Sequence, residues 1–91
     1  MTYMLTRIEV DDYEQWKEMF DSARGTVRKD AKGHQILRGV ENPKDVFIQV
    51  EFPSPEEAQT AREELQSSGA LDRVKLIAGP SITEQAETVS Y

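Results

Sequence analysis

Hydrophobic and polar positions alternate over the first ten residues, with Met4, Thr6, Ile8 and Val10 on one side and Tyr3, Leu5, Arg7 and Glu9 on the other. A repeat of two predicts a strand, β1, over 3–10. The period then changes. Tyr13, Trp16, Phe20, Ala23 and Val27 recur three or four residues apart, which is one stripe of an amphipathic helix, α1, with Asp11 or Asp12 as its N-cap. Its charges suit a helix dipole: Asp11, Asp12, Glu14 and Glu18 come early, and Arg24, Arg28, Lys29 and Lys32 late. Gly33 supplies the break.

Two further strands are expected at 34–40 (β2) and 46–52 (β3), joined by the turn Asn42-Pro43-Lys44-Asp45. Ser54-Pro55-Glu56-Glu57 places a hydroxyl at the N-cap, proline at N1 and glutamate at N3, so a second helix, α2, starts there. Ala58, Ala61 and Leu65 give it a small-residue face, and Ser67-Ser68-Gly69 ends it. Leu71, Val74 and Ile77 then predict one or two more helical turns, stopped by Gly79-Pro80. A weak alternation over 81–89 is the remaining strand, β4.

The order βαββαβ folds by right-handed crossovers into a ferredoxin-like α+β domain: a four-stranded antiparallel sheet with both helices on one face. An even hairpin loop pairs Leu37 near Val50 and Arg38 near Gln49, placing Leu37 and Gly39 under the helices and Ile36, Arg38 and Val40 on the open face. That open face, with Tyr3, Leu5, Arg7 and Phe47, is too apolar to stand in water. A sheet-to-sheet homodimer is the expected answer.

Composition narrows the functional classes. With 91 residues the chain makes one small globular unit spanning 1–91, whose thin core gains from a partner subunit. Seventeen acidic residues against 11 basic ones give a net charge of −6, which argues against nucleic acid or an anionic membrane as partner. No apolar run approaches the ~20 residues of a membrane span. There is no cysteine, so no disulfide, thiol nucleophile or thiolate metal site is available, and a cytoplasmic location is expected. One histidine and scattered carboxylates offer no convergent metal ligands, and phosphate loops, HExxH and GxSxG are absent, so neither metal nor cofactor is expected.

The pattern Tyr13-x-x-Trp16-Lys17-x-x-Phe20-Asp21, Gly33-x4-Arg38, Asn42-Pro43-x-x-Val46, Glu51-Phe52-x-Ser54-x-Glu56-Glu57-Ala58 and Ala78-Gly79-Pro80 resembles small members of the dimeric α+β barrel superfamily. The antibiotic-biosynthesis-monooxygenase-like domains look nearest. The resemblance implies a barrel of two facing sheets, with a cleft between sheet and helices in each protomer. It also implies a range of activities, from cofactor-independent oxygenation of aromatic metabolites to isomerisation, cyclisation and haem degradation. The haem-degrading members carry a late-helix histidine with asparagine and tryptophan partners. Here the only histidine, His34, opens β2, and the only tryptophan, Trp16, lies in α1.

The chemistry-bearing residues follow. His34 is the candidate general base, since it titrates near neutrality; its structural alternative is a rim histidine. Arg38 or Tyr3 would steady the resulting anion, and Arg7 offers a second guanidinium. Trp16, Phe20 and Tyr13 would line the substrate pocket, or simply fill the core. The arginines have a competing role as cross-strand partners of Glu51 and Glu9. Asp11-Asp12 and Glu56-Glu57 are accounted for by helix capping. The functional expectation is a homodimeric domain holding a small aromatic or apolar metabolite, with oxygenase-like, isomerase or cyclase chemistry; the alternative is a non-catalytic binding or assembly module.

Overall fold

A computed structural model describes residues 1–23, 25 and 27–91. The elements are β1 (Thr2–Glu9), α1 (Tyr13–Ser22), β2 (Gly33–Arg38), β3 (Asp45–Phe52), α2 (Pro55–Ser67), a 3-10 turn (Ala70–Arg73) and β4 (Lys75–Glu84). They form an antiparallel sheet in the order β2-β3-β1-β4, the ferredoxin-like α+β arrangement. Both predicted caps form. Asp12 accepts from the Gln15 amide at 3.1 Å and Ser54 from the Glu57 amide at 3.5 Å, with Pro55 opening α2.

Four expectations require correction. α1 stops at Ser22, five residues before the end of its apolar stripe. Gly25 follows at once, and the exposed carbonyls of the last turn find other donors: Ser22 Oγ donates to Met19 O at 2.8 Å, and the Arg28 guanidinium folds back onto Phe20 O. Arg28, Lys29 and Lys32 therefore belong to the connection after the helix; Arg24 lies outside the described residues.

The hairpin loop is odd. Gly39 N–H donates to Asp45 O at 2.8 Å and Asp45 N–H to Asn42 O at 3.0 Å, which leaves five residues, 40–44, in the loop. Asn42 Oδ1 accepts from the Lys44 amide at 3.2 Å, tightening it. Gly39 is needed there, because a Cβ would come within 2.6 Å of Asn42 O. The consequence is a reversal of faces in β2. Leu37 pairs with Phe47, on the open side, whereas His34, Ile36 and Arg38 pair with Val50, Ile48 and Val46, on the helix side. Val40 stands in the loop, fully exposed.

β4 begins at Lys75, not at residue 81, and Ile77 is in it. Only Ala70–Arg73 is helical. The Gly79-Pro80 pair is a bulge inside the strand, where the register against β1 slips between Leu5 and Arg7. Gly79 has φ +82°, and a Cβ there would run into the Leu5 carbonyl. Pro80, lacking an N–H, loses nothing at a position already out of the ladder. Beyond Glu84 the chain is without regular structure, so the strand expected to reach residue 89 ends earlier.

The charged pairs of the sheet also differ from expectation. Arg7 meets Asp45, not Glu9, with its Nε and Nη2 at 2.9 and 2.7 Å from the two carboxylate oxygens. That two-point hydrogen bond holds the Asp45 carboxyl below the usual carboxylate range. Arg38 donates from Nε to Pro43 O at 3.0 Å and lies 4.1 Å over the Tyr13 ring.

Two clusters make the core. Ala58 and Ala61 of α2 press on Met4, Val50 and Phe52; on the other side, Trp16 of α1 rests on Ile8, Val10 and Val46. The helices meet the sheet through side chains of very different size. Alanines let the α2 backbone approach closely, and aromatic rings hold α1 away. Among the described residues no close backbone contact links α1 to α2. Among the described residues no helix is long and apolar enough to cross a membrane.

Candidate functional site

The gap between the two helices is a cavity of about 310 Å³ over the centre of the sheet. Its floor is Met4, Thr6, Ile8, Ile48 and Val50, its α1 wall Trp16, Met19 and Phe20, and its far wall Leu65, Leu71 and Val74. Its size lies at the small end of the ~300–1,000 Å³ usual for ligand pockets. The lining is mostly apolar, with a few polar groups. Thr6 interrupts the apolar row of β1 and is 8% exposed. Ser22 and Ser68 stand at the rim, with Arg28 and Arg73.

Arg28 is the least expected of these. It is 6% exposed. The guanidinium lies face-on over the Phe20 ring, 3.5 Å from its centre, while donating to the Phe20 carbonyl. On its other side Nη1 is 3.5 Å from Nδ1 of His34, whose ring meets Phe20 edge-on at 5.1 Å. Arg28 also lines a smaller recess of about 170 Å³ with Ala31, Gly33 and His34. The two spaces thus share one guanidinium. Asp21 senses this cation and His34, although its carboxyl is lowered chiefly by Lys17, whose Nζ lies 2.6 Å away.

Of the residues singled out from sequence, Trp16 and Phe20 line the main cavity, 5.0 Å apart between ring centres. Tyr13 stacks behind Trp16 at 5.7 Å and touches Arg38 instead of the cavity. His34 lies beside the cavity, against Phe20 and Arg28, without lining it. Arg38 is tied to the hairpin loop, and Tyr3, on the open face, donates its phenol to Gln85 Oε1 at 3.2 Å. The structure brings His34, Phe20 and Trp16 into one neighbourhood and leaves Arg38 and Tyr3 outside it. Among the described residues there is no group of three or more potential metal ligands.

The chain matches no family profile and no curated protein. Among solved structures it is similar to a Deinococcus radiodurans protein provisionally described as an antibiotic biosynthesis monooxygenase. The TM-score is 0.63 over all of this chain and 98% of that one, at 10% sequence identity. At that identity the likeness is one of fold: the two chains share the ferredoxin-like α+β arrangement over their whole length.

Proposed function

We propose that this protein binds a small aromatic or apolar metabolite in the cavity between the sheet and its two helices, as a homodimer joined through the open sheet face. The observation that carries the reading is the cavity: a 310 Å³ space lined by Trp16, Phe20 and core aliphatics, left where two helices stand apart. A core built only for stability would close over such a gap, because each unfilled methylene-sized void costs about 1 kcal/mol.

The dimer rests on the open face. Leu37, Leu5 and Phe47 are 54, 39 and 38% exposed and cluster across β2, β3 and β1. The chain exposes 6190 Å², about 800 Å² more than a monomeric protein of its mass usually does. The face carries the Arg7–Asp45 pair beside its apolar residues, which suits a self-complementary partner of the same chain.

The catalytic form of the reading is oxygenation, for which the monooxygenase description of the Deinococcus radiodurans protein is the support, carried out without a cofactor, or isomerisation. His34, which abuts Phe20 and Arg28 beside the cavity, is then the base for a ligand that extends past the Arg28 guanidinium, and Trp16 and Phe20 shape the pocket. Binding without turnover would instead make the protein a carrier or assembly module. Trp16 is the only tryptophan and forms part of the cavity wall, so its fluorescence reports on occupancy. Titration with neutral two-ring aromatics such as 2-naphthol is expected to give a saturable change in Trp16 emission. A flat response across such compounds would overturn the binding reading.

A further inference from the structure

The cavity has a charge opposite to that of the chain that builds it. The protein carries a net charge of −6, yet no aspartate or glutamate lines the cavity among the described residues, and two arginines, Arg28 and Arg73, do. They are not equivalent. Arg73 is exposed, with Nη1 3.4 Å from Met19 Sδ, and water screens it. Arg28 is buried against Phe20, where the local dielectric is low and an ionic hydrogen bond is worth more. Its planar fork of five donors meets the Phe20 carbonyl and His34 Nδ1, and a carboxylate at the cavity end of the fork would add a charge-assisted contact to these. Asp21, the acid that senses Arg28, is bonded to Lys17 and does not line the cavity.

Thr6 is the second indication. It sits in the cavity floor at 8% exposure, where its hydroxyl adds a donor and acceptor to an otherwise apolar row.

We infer that the cavity selects a small amphipathic anion, a one- or two-ring carboxylate, with its apolar body over Met4, Ile48 and Val50 and its oxyanion on the Arg28 guanidinium. This rests on the cavity being a ligand site, as proposed above, and adds the charge of the ligand and the residue that reads it.

The test compares 2-naphthoate with its neutral isostere 2-naphthamide on the full chain at low ionic strength, by Trp16 fluorescence and calorimetry. Naphthoate is expected to bind at least about tenfold more tightly. Arg73→Gln should change that ratio by less than about fivefold, as for an exposed charge. Arg28→Gln should bring the ratio close to one while naphthamide still binds. If Arg28→Gln does not fold, the wild-type ratio and the Arg73→Gln variant decide, since among the described residues Arg28 is then the remaining cation of the lining. Equal binding of the two probes overturns the inference and leaves the cavity reading standing, as does a preference that Arg73→Gln abolishes or that a folded Arg28→Gln retains. Failure of both probes to bind overturns the cavity reading and this inference with it.

Discussion

Changing Leu5 and Phe47 together to glutamate is expected to turn a dimer into a folded monomer. Both side chains lie on the helix-free face, more than a third exposed in the protomer, so carboxylates there are hydrated in the single chain and leave its core untouched. In a two-fold assembly the same substitutions place four carboxylates in one contact, close to their own copies. Burying unpaired charge in this way costs at least about 3 kcal/mol, or about 100-fold in the dimer constant. Sedimentation velocity on wild type and variant reads this directly, with far-UV circular dichroism to verify the fold. A wild-type chain that already sediments as a monomer, or a double variant that still sediments as a dimer, would contradict the assembly proposed here.

Phe52→Ala carries the largest expected loss of stability. Phe52 ends β3 fully buried among Met4, Val50, Ala58 and Ala61. Its neighbours cannot relax into the space it leaves. The α2 residues above it are alanines, with no side chain to swing inward, and Pro53-Ser54-Pro55 holds the start of that helix in place. A truncation of this kind costs about 3–5 kcal/mol, a large share of the ~5–15 kcal/mol by which domains are stable. Urea unfolding should show it as a lower midpoint, compared at one protein concentration because dimerisation adds to apparent stability. A loss under about 1 kcal/mol would mean that α2 is free to settle onto the sheet.

The parts of the fold legible in the sequence are those specified by local chemistry. Asp12 and Ser54-Pro55 announce helices because their side chains and fixed φ satisfy or avoid the orphan amides of the first turn. β1 and β3 announce themselves because one face of each is buried by helices and the other is not. What was misread depends on contacts distant in sequence. The parity of the β2–β3 loop turns on one Asx bond at Asn42 and the closeness of Gly39 to the Asn42 carbonyl, which composition does not reveal. Leu71, Val74 and Ile77 have helical spacing, but the partnership with β1 pulls Ile77 into a strand that tolerates Gly79-Pro80 as a bulge.

The site divides in the same way. Trp16 and Phe20 were visible as an aromatic stripe on α1, and both line the cavity. In the sequence Arg28 is one more charge at the end of a long helical stripe. Because the helix stops at Ser22, the chain doubles back and buries that guanidinium over Phe20. Thr6 is only one more alternating position of β1 in the sequence, and its place in the cavity floor depends on how the two helices pack above the sheet.

The most direct test asks which of the two apolar surfaces a ligand occupies. Intermolecular nuclear Overhauser effects from 2-naphthoate protons are expected to the methyls of Met4, Thr6 and Val50, on the cavity floor. Contacts to Leu5, Leu37 and Phe47 instead would place the ligand on the open sheet and contradict the account.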